Sequence, residues 1–186
     1  MIKKIYYDLN SNIQIEPNVS CIGYFDGVHL GHQELIKETI KLANEKCVKP
    51  YLITFDPDPK DIVSKSKNIK INSLSSRIKL FEKFGIKGVI IIKCDEKFIK
   101  LSTFDFNKYY LSKFNLKGIV CGYDFTYGYN RSGNYKTLFK DFKKNLKVVD
   151  EIKYYGKKIS STRIRKEIEK GNYSLVNKLL GYEYRQ

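Results

Sequence analysis

The sequence predicts an α/β fold, an open parallel sheet with helices on both faces, and three stretches carry that expectation. Val19 to Phe25 is an apolar run that passes through Gly27 and Gly31 into Leu35, Ile36, Ile40 and Ala43, which recur at helical spacing: strand, tight turn, helix. Gly88 to Ile92 is apolar at successive positions, as a strand must be when helices cover both its faces. Gly118 to Gly122 is a further short apolar run bounded by glycines. In such sheets the loops beyond the C-terminal ends of the strands line a ligand crevice, so chemistry is expected in the residues that follow these runs.

Taken in order, Ile5 to Ile15 is a polar lead-in with room for no more than an edge strand. The helix after Gly31 is expected to reach about Lys46. Tyr51 to Phe55 reads as a strand that stops at Asp56-Pro57-Asp58-Pro59, since two prolines end any ladder. Asn68 to Asn72 reads as a polar, mobile connector, and Ser73 or Ser75 then caps a helix through Arg77, Leu80, Phe81 and Phe84. Ser102 with Asp105 has the spacing of a capping box at the head of a helix ending near Phe114. Lys147 to Val149 is another strand, and Ile152 to Ile159 a short hairpin about Gly156. Gly171-Asn172-Tyr173 separates the helix that begins near Ser160 from a last one through Leu175, Val176, Leu179 and Leu180.

A chain of 186 residues suits one domain with a real core. The net charge of +15 comes from lysines spread evenly, without a long basic block or an arginine-aromatic motif, which reads as a compositional bias, with anionic ligands a secondary benefit, rather than as a dedicated nucleic-acid face. The four cysteines, Cys21, Cys47, Cys94 and Cys121, form no CxxC pair and read as buried thiols. With no signal peptide and no apolar run of about 18 residues, a reduced cytoplasmic setting is expected, with no membrane partner.

Two motifs concentrate the chemistry. Gly27 and Gly31 allow backbone to approach a ligand closely, and the helix beyond them offers unpaired N–H groups and the positive end of its dipole to an anion. The only two histidines, His29 and His32, fall in this turn three residues apart, where a helix head puts both on one side. Helix-end histidines or a zinc site are the competing readings, and zinc needs more ligands than lie nearby. Near the other end, Ser160-Ser161-Thr162-Arg163-Ile164-Arg165 sets three hydroxyls and two arginines at a second helix head, a second anion pocket. Between them, Tyr123-Asp124-Phe125-Thr126-Tyr127-Gly128-Tyr129-Asn130-Arg131-Ser132-Gly133 follows a strand with an acid, alternating aromatics and a glycine-flanked arginine.

Gly23-x-Phe25-Asp26-Gly27-x-His29-x-Gly31-His32 resembles the signature of the nucleotidyltransferase superfamily, and its Phe-Asp-Gly-Val-His form resembles bacterial FAD synthetases. The passage from Val120 to Gly133 and the Ile-Ser-Ser-Thr-x-Ile-Arg segment are similar to that family's later motifs, so the likeness runs from about Val19 to Tyr182. It implies a Rossmann-like nucleotidyltransferase fold and a single FMN adenylyltransferase domain over 1–186, without the riboflavin kinase domain of two-domain members. It also implies transfer of AMP from ATP, with Mg²⁺, to the phosphate of FMN, giving FAD and pyrophosphate. On that resemblance His29, His32, Ser161 and Arg165 carry catalysis. Gly23, Phe25, Asp26, Gly31, Asp124, Ser160 and Thr162 bind ATP, and Phe55, Pro57, Tyr127 and Arg131 are the flavin-facing candidates. No metal ligands are assigned, and a monomer or weak dimer is expected. Where the family commonly has Phe-x-Pro-His-Pro, this chain has Asp58 in place of the histidine. A cytidylyltransferase with another phosphorylated acceptor, whose motif usually reads Gly-Thr-Phe-Asp where this chain has Tyr24, is one alternative. A non-catalytic basic RNA-binding module is the other.

Overall fold

The computed structural model describes residues 1–65 and 69–184, so Asn68, where the polar connector is expected to start, lies outside the described residues. Six strands form one sheet: β1 (Lys3–Tyr7), β2 (Asn18–Ile22), β3 (Lys49–Asp56), β4 (Gly88–Lys93), β5 (Leu116–Gly122) and β6 (Leu146–Val149), in the order β1-β4-β3-β2-β5-β6. Every pairing in it is parallel. The α-helices among the described residues are α1 (Leu30–Glu45), α2 (Pro59–Ser64), α3 (Leu74–Lys83), α4 (Thr103–Tyr109), α5 (Tyr135–Phe142), α6 (Ser161–Glu169) and α7 (Tyr173–Leu180).

Side chains alternate across the sheet and are buried on both faces, which is why the strands read as unbroken apolar runs. On one face Val19, Cys21, Leu52, Val89 and Val120 meet Leu35, Ile36 and Ala43 of α1 and Ile78 and Phe81 of α3. On the other, Ile22, Ile53, Ile90, Ile119 and Cys121 meet Phe106 of α4 and Leu138 of α5. A third, smaller cluster of Ile71, Ile159, Ile164, Val176, Leu179 and Leu180 fastens α6 and α7, with Leu30 packed against it.

The lead-in does contribute the edge strand, over Lys3–Tyr7, paired in register with Gly88 to Ile92. Four expectations are corrected. The helix capped by Ser102 stops at Tyr109, because Tyr110 (φ −121°, ψ −71°) turns the chain so that Tyr110 and Phe114 both bring rings edge-on to Tyr7. Helices α2 and α5 were not anticipated; α5 begins at a reciprocal capping box between Asn134 and Thr137. Beyond Asn68 the polar connector is anchored rather than mobile, with Ile71 buried and the Ile71 and Asn72 amides donating to Asp26. Cys47 is exposed, whereas Cys21, Cys94 and Cys121 are buried.

Strand β2 lies between β3 and β5. The chain winds outward in opposite directions from that point, and the crevice beyond the C-terminal ends of β2 and β5 is where such sheets bind ligands.

Candidate active site

β2 ends in a turn that a regular backbone cannot make. Gly23 extends the pairing by donating to Ile53 O (3.1 Å), after which Phe25 (φ 62°), Gly27 (φ 81°) and Val28 (φ 36°) all take left-handed conformations. Two of these carry Cβ atoms, a strained arrangement of the kind found at functional sites. His29 is the N-cap of α1, and its Nδ1 accepts from the His32 amide at 3.4 Å. The two imidazoles stack with centroids 3.6 Å apart and planes 15° from parallel, and Phe25 meets His32 edge-on at 5.1 Å. A Cβ on residue 31 would sit 3.3 Å from the His29 ring, so Gly31 is what lets the N-cap imidazole lie over the helix start.

The second helix head lies against the same turn. Ser160 caps α6 by accepting from the Arg163 amide (3.2 Å). Ser161 Oγ donates to the Asp26 carbonyl (2.8 Å), and Arg165 Nη1 pairs with Asp26 Oδ2 at 2.6 Å. The other carboxylate oxygen of Asp26 accepts from the amides of Ile71 (3.0 Å) and Asn72 (3.2 Å). Asp26 is 3% exposed and its carboxylate is taken up by three donors, so it acts as the joint between the two helix heads rather than as an open contact for a nucleotide. Thr162 is exposed beside it.

Asp124 lies exposed beyond β5 and forms an ion pair with Lys158. Lys158 also donates to Tyr123 Oη (3.2 Å) and sits 4.8 Å from the centre of its ring, while that hydroxyl donates to Glu151 (3.0 Å). Both Lys158 and Asp124 act electrostatically on His29. Lys158 was not singled out from sequence. Its signal, a lysine directly before Ile159-Ser160, is submerged among 35 Lys and Arg residues.

The four flavin-facing candidates sit differently from one another. The rings of Phe55 and Tyr127 are buried in the core, joined by an aromatic chain through Phe98 and Phe106 with centroid steps of 5.8, 6.0 and 5.4 Å. Pro57 is exposed and borders a cavity of about 360 Å³ with Tyr6, Tyr7, Asp8 and Cys94. Arg131 is exposed, its Nε donating to Thr126 (3.0 Å). Asp58, in the variant position, caps α2 through the Lys60 amide (3.0 Å) and pairs with Lys70 at 2.8 Å.

Burial pushes His29 down to about 4, with Lys158 adding to the shift, and burial with the neighbouring His29 pushes His32 well below the usual histidine range. Both rings are therefore neutral at neutral pH. Since His29 Nδ1 accepts a hydrogen bond, its proton resides on Nε2. Between pH 6.5 and 4 the unfolded chain binds a proton at residue 29 that the folded chain does not, so stability is full above that window and falls as the pH drops through it. With a folded value near 4, moving from pH 8 to pH 5 should remove about 2 kcal/mol through this residue alone. Urea unfolding of wild type and His29→Asn at both pH values measures it as a difference in slope; equal losses in the two proteins would contradict it.

Among the described residues, no three His, Cys, Asp or Glu side chains come together as a metal cage, and no helix is long and apolar enough to cross a membrane.

A family model described as FAD synthetase matches residues 12–163, which takes in the histidine turn, Asp124 and the Ser160–Arg163 head. The chain belongs to the FAD synthetase family. A bifunctional riboflavin kinase/FMN adenylyltransferase of Bacillus subtilis is 36% identical over 171 residues, covering 90% of this chain and 54% of that protein. One of the same description from Listeria monocytogenes is 34% identical over 170 residues, covering 89% and 54%. The chain thus spans about half the length of these curated relatives. A solved structure titled as a macrolide-efflux protein from Streptococcus pneumoniae superposes with a TM-score of 0.90 at 29% identity, over 99% of this chain and 72% of that one. Arg165 and α7 lie beyond the stretch that the FAD synthetase model matches.

Proposed function

We propose that residues 1–186 act as one adenylyltransferase domain that moves AMP from ATP to the phosphate of FMN, yielding FAD and pyrophosphate in the cytoplasm. The observation that most supports this reading is the meeting of the two helix heads at Asp26, three residues before the first of the stacked imidazoles. Family membership supports it as well.

The attacking phosphate and the triphosphate repel each other, so the first task is to hold them in line and offset their charge. Mg²⁺ belongs to the nucleotide substrate in this account, carried on its phosphates as that ion usually is, and contributes charge neutralisation there. The neutral imidazoles act as donors, Nε2 being the nitrogen left after Nδ1 of His29 takes the His32 amide and Nδ1 of His32 is buried without a partner. From the other side, the unpaired amides at the start of α6 and the Thr162 hydroxyl face the phosphates, while the Ser161 proton is used to fasten the turn. Arg165 is held at one end by Asp26 and presents its remaining N–H groups, and Lys158 adds a cation beside His29. As negative charge grows on the α-phosphate oxygens and on pyrophosphate, donors already fixed in place lower the barrier most. No general base is required, because the acceptor phosphate is largely ionised at neutral pH.

Purified protein incubated with ATP, Mg²⁺ and FMN should form FAD and pyrophosphate in equal amounts, with little product when CTP replaces ATP. Absence of FAD under these conditions would refute the reading, and turnover of CTP with another phosphorylated acceptor would replace it.

A further inference from the structure

Each backbone carbonyl from Tyr24 to Val28 accepts a hydrogen bond, and most of the donors come from elsewhere in the fold. Tyr24 O accepts from Arg77 and from Thr54 Oγ1 (3.0 Å), Phe25 O from the Val28 amide (3.2 Å), and Asp26 O from Ser161 (2.8 Å). The Tyr182 hydroxyl lies 2.7 Å from Gly27 O and 2.9 Å from the Asn72 side-chain oxygen, so the turn carbonyl and Asn72 share its proton, and Val28 O accepts from Gln33 Nε2 at 2.9 Å. Gln33 uses its second N–H on Leu180 O (2.6 Å), so one amide group joins the turn to the end of α7. The close seat is visible in the glycines: a Cβ on Gly27 would lie 3.3 Å from Leu180, and one on Gly181 would lie 2.6 Å from Leu30.

Two of these bonds act at the strained positions. Rotating the peptide plane between residues 27 and 28 would relieve the left-handed φ of Val28 and would swing Gly27 O away; the Tyr182 hydroxyl opposes that rotation. The plane between residues 28 and 29 sets where the His29 imidazole enters the crevice, and Gln33 holds its carbonyl. Burial pushes the Tyr182 hydroxyl up to about 12, which keeps it a donor.

We infer that Tyr182 and Gln33 are positioning residues that act through the Gly27 and Val28 carbonyls to keep the His29–His32 stack in its working geometry. This deepens the reading of the two imidazoles as the phosphate-holding pair and rests on it. The carbonyl ties give Tyr182, which lies beyond the matched stretch of the family, a role in the site rather than only at the tail.

The chain's two histidines make imidazole ¹⁵N spectra a clean reporter of the turn. In the nucleotide-free protein, Tyr182→Phe should shift both imidazole signals, whereas Tyr184→Phe, which removes another hydroxyl from the same tail, should leave them in place. In FAD synthesis Tyr182→Phe should lower kcat roughly tenfold with KM for FMN nearly unchanged, since misplacement of fixed groups acts on the transition state. Imidazole signals of folded Tyr182→Phe that superimpose on wild type would overturn the inference, as would an unchanged kcat. Should Tyr182→Phe fail to fold, Gln33→Met is read by the same spectra, and unshifted signals there overturn it equally. The spectra need no turnover, so a protein that made no FAD would refute the proposed function while the positioning of the imidazoles was still measured.

Discussion

His29→Asn is expected to lower kcat for FAD formation by about 100- to 1,000-fold, the loss typical of one preorganised donor to a developing oxyanion, while leaving the protein folded. The choice of asparagine matters. His29 is the N-cap of α1 and its Nδ1 accepts the His32 amide, and asparagine is among the best residues for that duty. The cap is kept and the Nε2 donor is lost. His32→Ala is a less clean test, because His32 lies between the His29 and Phe25 rings and its removal opens a gap in that stack. Steady-state FAD synthesis beside a thermal melt checks the prediction. A folded His29→Asn protein with near wild-type kcat would remove His29 from the chemistry.

Asp26→Ala is expected to cost about 3 to 5 kcal/mol of stability, the range for removing one partner of a buried ion pair. The carboxylate is 3% exposed, and its loss strands Arg165 together with the amides of Ile71 and Asn72. Adding Arg165→Ala to Asp26→Ala should recover part of that loss, because the stranded cation goes with it. Equilibrium urea unfolding of wild type, both single variants and the double variant gives the coupling. Strict additivity would mean that the two helix heads are not joined through this pair.

What could be read from the sequence is what local spacing encodes. The apolar runs at Val19 and Gly88 become interior strands because their consecutive burial has no other parallel-sheet solution, and Ser160 caps its helix as its hydroxyl and position suggest. The histidine pair was conspicuous because there are only two histidines, and they do stack. The bonds by which Asp26 joins the helix heads were not legible, since its partners lie 45, 46 and 139 residues away and no local pattern announces them. Tyr127 is a flavin-facing candidate from sequence, and its ring is buried against Phe106 in the core. The early end of α4 at Tyr109 was invisible for the same reason: the break answers to Tyr7, 102 residues away in sequence where its hydroxyl reaches Tyr109 O. Helix α5 is short, and Asn134 and Thr137, which form its capping box, are residue types equally common in turns.

In the proposed function one triphosphate is gripped from both sides, by the imidazoles of α1 and by the head of α6. A crystal structure with a non-hydrolysable ATP analogue and Mg²⁺ would show whether both heads hold it. Phosphate oxygens are expected within hydrogen-bonding distance of His29 or His32 Nε2 and, in the same molecule, of the Ser161 or Thr162 amides. A triphosphate bound at one head alone, with the other still closed on Asp26 and empty of contacts, would contradict it.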